Sequence, residues 1–197
     1  MSKSKPTWKR GLQTFAIILI LVIFPLVSWY FLQSGFNFTK EKFDKLDSLG
    51  QLSLYEFPLQ DQKPITLDQM EGSIILAGSL IDIEKESLDI IQGLYKKFDE
   101  REDLIFLFYD KEKTDYSRDP LFNEYTLFED YKQVKIINPL AMTSSEYTSS
   151  LNLSKDLQAN ELALIDTGKE VRGVYDIEAQ EKRDLLISHI VFLLPKE

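Results

Sequence analysis

Apolar residues follow three patterns along this chain, and each pattern predicts a different element. From Gly11 to Gln33 no residue is charged, and the centre reads Phe15-Ala-Ile-Ile-Leu-Ile-Leu-Val-Ile-Phe-Pro-Leu-Val27. At about 1.5 Å per residue such a run is long enough to cross a hydrocarbon layer as a helix. Two shorter runs, Ser73–Ile81 and Asp103–Tyr109, are almost continuously apolar, as expected of strands buried on both faces. Between them Leu88, Ile91, Leu94, Tyr95 and Phe98 recur at helical spacing, with Lys85, Glu86, Asp89 and Lys96 on the other side. That pattern predicts a helix over 84–98.

The remaining elements follow from weaker signals. Leu52–Leu59 has strand character, Asp61-Gln-Lys-Pro64 is a turn, and Ile65–Leu67 is a short second strand. One helical turn is expected over 68–72. Leu121, Tyr125 and Phe128 suggest a helix over 120–131, Gln133–Ile137 a strand, and Met142–Leu153 a helix. Glu161–Asp166 and Glu170–Asp176 flank Thr167-Gly168 as an antiparallel hairpin, and Glu178–Leu194 is the closing helix. A strand–helix–strand order makes a right-handed parallel crossover the default. The whole order predicts an α/β, thioredoxin-like sandwich with a mixed sheet, preceded by one N-terminal transmembrane helix. The expected organisation is a tail over 1–10, a membrane helix over 11–33, a stalk over 34–50 and the domain over 51–197.

Charge gives the first run an orientation. Lys3, Lys5, Lys9 and Arg10 precede it, and Trp8, Trp29 and Tyr30 flank it where amphipathic rings favour the interface. The tail is therefore expected on the cytoplasmic side and the domain exported, periplasmic or otherwise extracytoplasmic, on a retained signal anchor. The alternative, a cleaved signal peptide, calls for small residues after the apolar run, where Ser28-Trp-Tyr-Phe31 stands. The lipid bilayer is thus the first expected partner, through residues 11–33. The chain carries Lys+Arg 23 against Asp+Glu 32, a formal net charge of −9, and the four tail cations leave the rest more acidic still. Such a body repels phosphate backbones, so no nucleic-acid partner is expected.

Three stretches carry a resemblance to a known family. "LYEFPLQDQKPITLDQMEGSIILAGSL" (54–80), "DLIFLFYDKEKTD" (103–115) and "LALIDTGKEVRGVYD" (162–176) resemble the entrance, the second strand and the terminal hairpin of the Sco/SenC-like branch of the thioredoxin superfamily. The resemblance covers roughly residues 50–194, and a membrane anchor with an exported domain fits it. It implies a CxxxC pair just after the buried strand and a histidine shortly before the hairpin, which together bind copper or exchange disulfides during cytochrome oxidase maturation. Here Leu80-Ile-Asp-Ile-Glu-Lys-Glu86 and Ser154-Lys-Asp-Leu-Gln-Ala-Asn160 occupy those places, and the chain has no cysteine at all. No catalytic or copper-binding residue carries over, because hard carboxylate oxygens are poor substitutes for a soft thiolate. No enzyme activity, cofactor or metal is therefore expected.

The remaining candidates are few. Asp82, Glu84 and Glu86 stand where the family keeps its active loop. At a helix N-terminus they are accounted for by dipole and capping, with contact to a hard cation or a basic partner as the functional alternative. His189, the one histidine, is expected at the border of the terminal helix as a partly exposed surface residue. The thioether candidates are Met70 and Met142, since Met1 lies across the membrane. Arg172 is expected to pair with Asp166 or Asp176. Glu129-Asp130 and Asp110–Asp115 are expected as solvated loop charges, and some aromatics of 114–131 as an exposed docking patch. No P-loop, GxGxxG, GxSxG or HExxH occurs. Three functions follow: a membrane-tethered interaction or assembly factor for a respiratory complex, a handler of metals or small ligands through oxygen and thioether groups, and a thiol-independent enzyme. The first takes a membrane protein as partner.

Overall fold

The computed structural model describes residues 21, 23–33, 46, 48–60, 62–116, 118–130 and 132–194. The chain divides into two units, Met1–Lys45 and Leu46–Glu197. In the first, residues 21 and 23–33 are helical, and Phe24, Tyr30 and Phe31 are each 70% exposed. Among the described residues no helix is long and apolar enough to cross a membrane. Residues 11–20 and 22 of the expected span over 11–33 lie outside the described residues, as do residues 34–45 and 47 of the expected stalk.

The second unit is built on a mixed six-stranded sheet. Its strands are β1 (Gly50–Gln51), β4 (Ile74–Ser79), β5 (Leu104–Tyr109), β6 (Val134–Ile137), β7 (Glu161–Ile165) and β8 (Glu170–Asp176), in the order β1-β8-β7-β4-β5-β6. β5 runs parallel to both β4 and β6, and the pairs β4–β7, β7–β8 and β8–β1 are antiparallel. β2 (Glu56–Phe57) and β3 (Ile65–Thr66) form a separate two-stranded hairpin. Three helices complete the unit: α1 (Lys85–Lys97), α2 (Ser144–Ser150) and α3 (Gln180–Leu193).

Every residue of β4 and β5 is buried, and the pleat sorts their side chains into two cores. Ile74, Leu76, Leu104, Phe106, Phe108, Leu162 and Leu164 face one way, onto Leu88, Ile91 and Leu94 of α1 and Leu186 and Ile190 of α3. Ile75, Ala77, Ile105, Leu107, Tyr109, Ala163 and Ile165 face the other way, onto Phe57, Met70, Tyr147 and Leu151. Gly78 interrupts the apolar run because a Cβ there would stand 2.7 Å from Leu162 and 3.0 Å from Phe108. At Gly50 the backbone has φ 120°, and the Asn152 amide fills the space a side chain would take.

Local chemistry decides where the elements begin and end. Thr143 and Glu146 close a reciprocal capping box at the start of α2, with Glu146 N–H to Thr143 Oγ1 at 3.2 Å and Thr143 N–H to Glu146 Oε2 at 2.8 Å. The Thr143 N–H and then the Thr143 hydroxyl, which donates to Glu146 Oε2 at 2.9 Å, hold the Glu146 carboxyl below its ordinary pKa. Asn152, in the left-handed region at φ 55°, lies just beyond the other end, so the helix is shorter than the 142–153 pattern predicts.

Two further expectations are corrected. Leu52–Leu59 is not one strand: only Glu56–Phe57 pairs with β3, and Leu59 forms a single bridge to Ile137. Pro58 has no N–H to continue a ladder. Its carbonyl instead accepts from Asn138 N–H, and Gln60 N–H donates to Ile136, so the segment turns onto the outer edge of β6. Residues 120–130 of the expected 120–131 helix are instead turns followed by a 3₁₀ stretch, Thr126–Glu129. Side chains take over the backbone there: Asp119 accepts from Leu121 N–H at 2.8 Å, and Gln92 Oε1 from Leu127 N–H at 3.2 Å.

Candidate functional site

After β4 the chain bends through Ile81-Asp82, with Asp82 at φ 53°, and enters α1 with Glu84 at the N-cap position. Leu80 N–H ties the bend to Tyr109 O at 2.8 Å, fixing it at the carboxyl end of the parallel strands. In α/β sheets ligands gather at this end. The loop before β7 comes up against the bend. Together they enclose a cleft of about 430 Å³, whose walls include Ser79, Asp82, Glu84, Ser144, Asp156, Asn160 and Glu178. The two segments that the resemblance marks as the places of the thiols and the histidine thus meet across one cleft.

The cleft is acidic, with no lysine or arginine among the described residues of its wall. Lys85, next in sequence to Glu84, turns away to the Tyr125 hydroxyl at 3.2 Å and the Glu124 carboxylate at 3.3 Å, and these hold its ammonium above the ordinary lysine pKa. Burial and the Asp89 carboxylate raise the Tyr125 phenol in turn. Two wall carboxylates are committed to hydroxyls. Asp156 accepts from Thr148 Oγ1 at 2.7 Å and Ser144 Oγ at 3.2 Å, and Glu178 accepts from the buried Ser87 Oγ at 2.6 Å. Asp82 and Glu84 are exposed and face what enters. Among the described residues no three His, Cys, Asp or Glu side chains gather as a metal-binding group.

Of the three predicted contact residues, Asp82 and Glu84 line the cleft. Glu86 lies one shallow depression away, beside Lys85, Asp89 and Arg183. Asp156 and Glu178 belong to the cleft and were not picked out from sequence. Asp156 lies in the stretch the resemblance identifies as facing the bend, so a signal for it existed; Glu178, just past β8, had none.

Other expectations change on burial. His189 is not a surface histidine: it is 3% exposed on the inner face of α3, with Nδ1 and the Tyr175 hydroxyl 2.7 Å apart. Asp110 is not a solvated charge. It is 8% exposed and accepts from the Tyr116 and Thr114 hydroxyls, each at 2.8 Å. Burial, then that carboxylate, push the Tyr116 phenol far up. Asp130 is half-buried and accepts from Tyr95 Oη at 3.1 Å; burial, then that carboxylate, raise Tyr95 to about 12. Among the described residues the 114–131 aromatics form no exposed docking patch: Tyr116, Phe122, Tyr125 and Phe128 are all buried, and Tyr116 stacks on Phe128 at 4.8 Å, while Tyr131 lies outside the described residues. Met70 and Met142 sit in the core beyond the opposite sheet face from Tyr175, His189's partner. Arg172 pairs with Asp166, as expected, and with Glu170 rather than Asp176, both at 2.7 Å.

Architecture and cleft together define a thioredoxin-like α/β fold with a mixed sheet and an acidic cleft at the carboxyl end of its parallel strands. Solved structures of low sequence identity share this fold. BsSco, a member of the Sco family of cytochrome c oxidase assembly proteins with a disulfide switch, aligns at TM-score 0.51 and 17% identity over 76% of this chain and 98% of its own. A SCO1/SenC family lipoprotein from Bacillus anthracis aligns at 0.52 and 18%, over 74% of this chain and 95% of its own. The thioredoxin domain of a thiol-disulfide oxidoreductase from Bacteroides vulgatus aligns at 0.50 and 8%, over 76% and 99%. No protein-family model matches the sequence, and no curated protein matches it.

Proposed function

We propose that this chain is a membrane-anchored, non-catalytic interaction or assembly factor for a respiratory membrane complex such as cytochrome oxidase. Its acidic cleft receives a basic segment of the partner. The observation that carries this reading is the cleft itself: it is retained where the fold elsewhere does thiol chemistry, yet it is walled by carboxylates, hydroxyls and amides in a chain without cysteine. Groups of that kind bind and orient, and they supply no nucleophile with an adjacent base. The Sco-family structural neighbours support the choice of complex. The tether is supported by the uncharged stretch 11–33 and by the exposed apolar side chains of the helix over 23–33, which call for an apolar surrounding. The tail cations support a cytoplasmic N-terminus and an exported domain.

Co-purification tests the proposal. The full chain is expected to leave the membrane fraction only with detergent and, in a gentle one, to co-elute with a subunit of a respiratory complex. Asp82→Lys with Glu84→Lys should reduce that recovery about tenfold, since opposite charge at an interface rim governs capture. A chain that elutes alone in every detergent contradicts the reading.

A further inference from the structure

We draw no further inference here: the strongest candidate, the cavity of about 480 Å³ beside β6 that Phe122, Phe128, Val134 and Ile136 help to wall, carries none, because the unmatched acceptor on its wall, Gln60 Oε1, is closed off from the space and no other described group there points to a ligand.

Discussion

Tyr147→Ala is expected to destabilise the domain by about 3–5 kcal/mol, the range found when a large buried aromatic is removed. Tyr147 is 2% exposed and is the largest side chain that α2 sends into the core. It stacks on Tyr109 with centroids 5.4 Å apart, and its hydroxyl donates to Leu107 O at 2.8 Å. Burial raises its phenol pKa far above the ordinary value, so the group is a neutral donor throughout the physiological range. Tyr147→Phe keeps the stack and loses only the hydrogen bond, a loss of about 1 kcal/mol. Urea denaturation of both variants checks the pair: near-equal midpoints for the two would show that the ring is not what holds α2 to the sheet. The effect reaches the cleft as well, because α2 carries the Ser144 and Thr148 hydroxyls that fix Asp156.

Arg172→Met should destabilise by about 3 kcal/mol, because it strands a buried carboxylate. Asp166 is 7% exposed; Arg172 reaches its Oδ2 through Nε and Nη2, and Glu170 N–H donates to its Oδ1 at 2.9 Å. The pair clasps the turn between β7 and β8, where Lys169 stands at φ 65°. Adding Asp166→Asn to Arg172→Met removes the stranded charge while keeping an acceptor for Glu170 N–H, so more than half of the lost stability should return. A double variant no more stable than the single one would mean that the arginine acts through packing of its stem instead.

How far the sequence could be read depended on how local the deciding interactions were. β4 and β5 were legible because burial on both faces leaves an uninterrupted apolar run, and α1 because its one apolar stripe meets one sheet face. The hairpin of β7 and β8 was legible from its turn and from Arg172 beside Asp166. The 120–131 segment was not: Leu121, Tyr125 and Phe128 fall at helical spacing, yet Asp119 and Gln92 bind its N–H groups and the rings pack on one another. His189 was misplaced because its partner, Tyr175, lies on another element. Asp110 reads as one more charge in an acidic loop until the Tyr116 hydroxyl folds back onto it. The position of the candidate cleft was legible only through the resemblance. Most of its composition was not, since its wall is drawn from the β4–α1 bend, the start of α2, the loop before β7 and the residue after Ile177.

The most direct measurement is site-specific photo-cross-linking in intact membranes, with a photoreactive phenylalanine analogue placed at Gln158 on the cleft wall or at Glu100, which lies outside it. The account predicts that position 158 captures a subunit of a respiratory membrane complex through a lysine- or arginine-rich segment, and that position 100 does not. No adduct at 158, or the same adducts from both positions, would contradict it.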